Sequence, residues 1–185
     1  MPNPSSEPIT VPFAELGEKA YTVNRNNGWD VFTPQDWGND VSVLKLCANI
    51  ALVHREIAEA DEAVSANDIV ELREEIADVA IRTSSIAHGL GIDIDFNVKS
   101  YREELQIPFH ELDIMRGLME LHKVTSHATE AVRSKDAGKL VASLMGILLH
   151  SAAISQTIGS NLAAEMEKKI EKNASRGHKH GGKAI

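Results

Sequence analysis

Two pairs of carboxylates are the residues of this chain best suited to chemistry: Glu56 with Glu59, and Glu75 with Asp78. Each pair is spaced by three positions, so on a helix both acids share one face. Two neighbouring antiparallel helices would gather all four, and carboxylates that close repel one another and resist ionisation. A divalent cation removes that cost. An all-oxygen donor set without His or Cys points to Mg²⁺ or Mn²⁺ rather than zinc. Mg²⁺ keeps several waters and is usually completed by substrate phosphates, and water made more acidic by such an ion is a nucleophile. The plain alternative is a solvated acidic face, because a single E-x-x-E or E-x-x-D occurs on many helices. Two of them on consecutive helices are more specific.

Basic residues collect at the other end. From Lys168 onward six Lys and Arg accompany a single acid, Glu171, whereas His54 to Asp78 holds nine acids and two arginines. Lys169, Asn173 and Arg176 fall at i, i+4 and i+7, one helical face, and together make a grip for phosphate and sugar. His180 and Lys183 follow in a glycine-containing stretch that can fold back over a ligand. A basic terminal tail is otherwise usually just solvated. Trp29 and Trp37 precede the acidic region: Trp29 suits stacking on a base as well as it suits packing, and Trp37 reads as a core anchor. Arg82, four residues after Asp78, is placed to pair with Asp78 or to reach a phosphate, and structural pairing is the simpler role.

The elements that must position these residues read as helices. Val43, Cys47, Ile50 and Ile57, flanked by Leu46 and Val53, give a helical period from Val41 to about Val64. Asn67 or Asp68 caps a second helix reaching about His88, with Ile69, Leu72, Ile76, Val79 and Ile86 as its apolar stripe and Gly89 and Gly91 as its stop. A shorter helix follows, from about Asp95 to Gln106, ended by Pro108. Before these lie a proline-rich arm, a helix from Phe13 to about Arg25, a break at Asn26-Asn27-Gly28 and a loop with both tryptophans.

The helical pattern then recurs. Sliding the chain by 68 residues aligns Ala51–Arg102 with Met119–Ile170 with nine identities, including His54/His122, Asp68/Asp136, Leu72/Leu140 and Gly91/Gly159. The alignment reads as a degenerate repeat, the alternative being two unrelated helical hairpins of similar periodicity, against which the shared loop at Gly91 and Gly159 argues. The copies differ where chemistry would sit: Glu56, Glu59, Glu75 and Asp78 are replaced by Val124, His127, Ser143 and Gly146 while the apolar frame persists. The expected organisation is an N-terminal arm, short helix and Trp loop over 1–40, a first helical repeat with the acids over 41–107, and a second repeat with the basic tail over 108–185.

Composition bounds the rest. The 185 residues are 43% hydrophobic but only 4% aromatic, a mixture rich in Ala, Ile, Leu and Val that favours helix packing, so the expected fold class is all-α. A formal charge of −8 argues against general nucleic-acid binding. The lone Cys47 reads as a core thiol. With no leader pattern and no apolar run approaching a membrane span, the expectation is a cytoplasmic protein with no membrane partner.

The combination E-x-x-E, E-x-x-D on the next helix, and K-x-x-x-N-x-x-R near the C-terminus resembles the MazG-like, all-α nucleoside triphosphate pyrophosphohydrolases. The strings LVHREIAEADEA, EEIADVAIR, GLGIDI and KKIEKNASRGHKHGGK, and the Gly28-Trp29 segment, carry the resemblance over most of the chain from about residue 20. It implies Mg²⁺- or Mn²⁺-dependent hydrolysis of a (deoxy)nucleoside triphosphate to the monophosphate and pyrophosphate. It also implies that Glu56, Glu59, Glu75 and Asp78 bind the metal, and that Lys169, Asn173, Arg176, His180 and Lys183 contact the substrate. Short family members carry the basic element directly after the E-x-x-D helix, whereas here Tyr101, Leu105 and Pro108 align with Lys169, Asn173 and Arg176. The acids therefore come from the first copy and the basic tail from the second, as in a fused pseudo-dimer. The resemblance further implies a homodimer or homotetramer. Its phage branch called MazZ, which acts on guanine nucleotides, implies dGTP or GTP as substrate and a host cytoplasm as location.

The competing reading is a non-catalytic helical module binding a nucleotide or a protein, against which the acids retained in one copy argue. A redox di-metal bundle is disfavoured, because the acidic stripe lacks the Glu-x-x-His pairing.

Overall fold

The computed structural model describes residues 11–38, 40–105 and 113–178. Among these residues all regular structure is helical: α1 Phe13–Asn26, α2 Asp40–Ser65, α3 Ile69–Gly89, α4 Ile94–Leu105, α5 Ile114–Arg133, α6 Ala137–Thr157 and α7 Leu162–Ala174, with a 3₁₀ turn at Pro34–Asp36. The all-α expectation holds, and the helix ends lie within a residue or two of those read from the sequence.

Helix α3 is the hub. It packs against α1, α2, α6 and α7, so side chains on different sides of α3 meet different partners. One hydrophobic core runs through both halves of the chain, joining Leu46, Ile50, Val53 and Ile57 of α2 with Leu72, Ile76 and Val79 of α3 and Leu144, Ile147 and Ile154 of α6. The core line of α2 is thus Leu46–Ile50–Val53–Ile57, while Val43 and Cys47 pack on its margin. Ile69, expected in the α3 stripe, is 43% exposed, because it opens the helix beyond the reach of α2 and α6. Trp37 packs on the core edge, as an anchor should.

Helix α6 is long and apolar enough to cross a membrane, but 72% of its apolar window is buried by the other helices. Its buried hydroxyls all find acceptors: Ser143 and Ser151 donate to the preceding turn, at Lys139 and Ile147, and Ser155 donates forward to the Ser160 carbonyl.

The two interhelical turns match in detail. Asn67 and Lys135 both take left-handed backbone, at φ 55° and 54°. Asp68 caps α3 by accepting from the Val70 and Glu71 amides, and Asp136 caps α6 by accepting from Lys139. Gly91 and Gly159 close the following turns with φ of 73° and 63°. Where α2 crosses α5, His54 and His122 meet with Nδ1 atoms 3.1 Å apart.

Helix α1 approaches α3 closely at Gly17, where an added Cβ would lie 2.8 Å from the Ser84 carbonyl oxygen. Alanine is the better helix former by about 1 kcal/mol, yet here that collision decides. Gly17→Ala should lower stability by about 1–3 kcal/mol in urea titration, the range for overpacked cores.

Candidate metal centre

The acidic site lies between α2 and α3. Glu56 and Glu75 are buried, at 4% and 6% exposure, and Asp78 is half-buried. Leu72, Ile76 and Val79 face the apolar core on one side of α3, and the helical period turns Glu75 and Asp78 toward the edge where α2 and α7 meet it. One carboxylate oxygen from each of Glu56, Glu75 and Asp78 lies within 4.8 Å of the other two. Glu59 stands beside the triad, linked to it by a hydrogen bond shared with Glu56.

Two cations of the chain already lean on the triad. Arg82 places Nε and Nη2 at 2.7 and 2.6 Å from the same Glu56 oxygen. Its partner is therefore Glu56 across the helix pair and not Asp78, one turn away on its own helix. Lys169 of α7 is 7% exposed and sits 2.7 Å from Asp78 Oδ2. The acids near residue 56 and the basic residue near the C-terminus thus meet within one chain. Lys169 also lies 3.1 Å from Glu74, which receives Lys172 at 3.3 Å as well. Arg55 neutralises Glu59 at 2.6 Å.

Burial and like charge shift these groups. Burial, followed by the charge of Asp78, drives Glu75 to about 8, and Lys169 only partly opposes this. Burial also raises Glu56, although Arg82 pulls it down, and its proton serves Glu59. Burial pushes Glu59 up too, but hydrogen bonds from Glu56 and Arg55 outweigh it, and its net shift is downward. For Lys169, burial works against the charged form, but hydrogen bonds to Asp78 and Glu74 prevail and its pKa is raised. Glu75 Oε2 is buried without a hydrogen-bond partner among the described residues. An orphaned carboxylate oxygen among acids at ligand spacing suits a hard divalent cation, which both charges the group and accepts its lone pair. Glu56, Glu75 and Asp78 are the side chains placed to hold such an ion. No metal identity follows from this geometry.

The remaining expected contacts are spread more widely. Asn173 is half-buried on the last turn of α7, and its carbonyl accepts from Asn27 Nδ2 at 2.8 Å. Arg176 is exposed and lies past the end of α7, so it does not extend the helical face begun by Lys169. Trp29 is half-buried in the loop after α1. His178 lies against Gly28, where a Cβ would collide with its ring, so the left-handed glycine both turns the chain and admits the imidazole. His180 and Lys183 fall outside the described residues. Glu74 was missed by motif reasoning. Its position four residues before Asp78, on the same helix face, was the available signal.

Comparison of the chain with protein families, curated proteins and solved structures finds no match.

Glu75 gives the metal-free site a defined pH response. Its folded pKa of about 8 exceeds the ordinary 4.5, so the fold prefers the protonated acid. The stability it contributes is full below about pH 4.5 and is lost as pH rises through 8, at about 1.4 kcal/mol per pKa unit. Glu75→Gln should therefore melt higher than the metal-free wild type at pH 8, read by calorimetry.

Proposed function

We propose that this chain is a Mg²⁺- or Mn²⁺-dependent pyrophosphohydrolase that converts a (deoxy)nucleoside triphosphate to the monophosphate and pyrophosphate, with dGTP or GTP as the first substrates to test. The observation that carries this reading is the buried triad Glu56, Glu75 and Asp78, with its orphaned Glu75 oxygen, facing Lys169 from α7. A buried acidic cluster beside a buried ammonium pairs a cation site with an anion contact, the combination that binding a metal-polyphosphate requires.

In this reading Glu56, Glu75 and Asp78 hold the ion, which when bound supplies positive charge for the phosphate oxygens and acidifies water. Lys169 turns from Asp78 toward a phosphate oxygen. Glu59 is the ionised carboxylate outside the triad and is available to take a proton from the attacking water. Arg82 orients Glu56 and offsets part of the burial that favours its protonated form. Asn173 and Arg176 extend the substrate contact along the C-terminal segment.

We also propose that the architecture is a fused pseudo-dimer of two degenerate repeats. Helices α3 and α6 have equal length and begin 68 residues apart, and so do α4 and α7 in their starts. The matched turns at Asn67/Lys135 and Gly91/Gly159 support this, as does the contact between His54 and His122, which the repeat makes equivalent. At the positions equivalent to Glu56 and Asp78, a Cβ on Gly146 would meet Val124 at 3.5 Å, so the second copy fills with apolar packing the space that holds acids in the first. Further assembly into a homodimer or homotetramer remains part of the proposal.

Pyrophosphate release should be screened across the common dNTPs and NTPs with Mg²⁺ and Mn²⁺. Asp78→Asn and Glu59→Gln should each lower kcat by at least about 100-fold, as loss of charge stabilisation or proton transfer does, with the helical circular dichroism unchanged. Undiminished activity in excess chelator overturns the reading. Absence of turnover, with no thermal shift from metal plus any nucleotide, favours a non-catalytic helical module instead.

A further inference from the structure

Glu74 is the acid around which the lysines of α7 gather. Its Oε2 lies 3.1 Å from Lys169 Nζ and 3.3 Å from Lys172 Nζ, and Lys168 comes within 3.9 Å of Oε1. Lys169 is the buried member of the three and has a second carboxylate partner, Asp78, at 2.7 Å. Asp78 is in turn one of the triad whose oxygens lie within 4.8 Å. The ammonium and a divalent ion therefore need the same carboxylate.

Glu74 stands apart from the triad, held one helical turn before Asp78 on α3 and anchored by α7. When Asp78 turns to an ion, Lys169 keeps one ionic partner only because Glu74 is there. Without Glu74, Lys169 would be a buried ammonium whose single ion-pair partner among the described residues is Asp78, and releasing Asp78 would leave it buried and unpaired, which is costly.

We propose that Glu74 is a positioning residue that holds Lys169 aside and so makes Asp78 available to a divalent cation. The proposal rests on the metal-site reading of Glu56, Glu75 and Asp78. Glu74 itself does not ligate the ion. It acts through Lys169, and that dependence separates this role from a general attraction between an acid and a cation.

The test is a double-mutant cycle read by Mn²⁺ binding, followed by electron paramagnetic resonance of free Mn²⁺ without substrate. Glu74→Gln should weaken Mn²⁺ binding roughly ten-fold, the size of coupling between contacting residues. In the Lys169→Met background, which removes the competing ammonium, the same substitution should change affinity by less than about two-fold. An equal loss from Glu74→Gln in both backgrounds overturns the proposal, because it marks simple charge attraction, and no loss in the wild-type background overturns it too. The pair Glu74→Ala and Lys169→Gln completes the same cycle if either first variant fails to fold. Glu75→Gln serves as the control: if wild type and Glu75→Gln bind Mn²⁺ alike, the metal-site reading itself has failed.

Discussion

Carboxylates buried within ligand distance of one another cannot all keep their charge unless something positive stands among them. That constraint organises the region between α2, α3 and α7. Arg82 reaches across to Glu56, Arg55 binds Glu59, and Lys169 is drawn out of solvent to Asp78 and Glu74. Even so the compensation is incomplete: Glu75 stays protonated well above the usual carboxylate range and one of its oxygens has no hydrogen-bond partner among the described residues. An ordinary core would place apolar side chains here, because a well-packed apolar cluster is often as stable as a buried ion network or more so.

The rest of the fold holds this arrangement in register. Helix α3 packs chiefly against α1, α2, α6 and α7, so its acids have a fixed rotation relative to α2 on one side and α7 on the other. The backbone termini of α3 and α6 are set by aspartate caps and left-handed turn residues, which define where each helix begins and hence which residues face the site. At the far end, Asn27 ties the last turn of α7 to the segment after α1, and Gly28 accepts the His178 ring. These contacts hold the helix that carries Lys169 against the acids.

The acidic motifs were legible because a spacing of three residues places both acids of a pair on one helix face whatever the helix packs against. The helix boundaries were legible for a similar reason: Asp68, Gly91 and the apolar period act locally. The pairing of charges across helices was not. Arg82 stands as close in sequence to Asp78 as to any acid on its own face, yet it binds Glu56, because the rotation of α3 against α2 turns its guanidinium that way. Glu74 was passed over because its importance comes from α7, nearly a hundred residues away. Ile69 failed as a core residue because a helical stripe does not reveal where the neighbouring helices end.

The sequence by itself determined an all-helical chain, the places where its helices start and stop, and four acids in two helical pairs. Composition, period and capping act over a few residues, and local chemistry is enough to settle them. Only the tertiary structure decided that three of those acids converge while Glu59 stands to one side, that Lys169 is their cationic neighbour, and that Arg176 lies beyond its helix. Those outcomes depend on the angles and offsets at which helices cross, and these are fixed by the whole core at once.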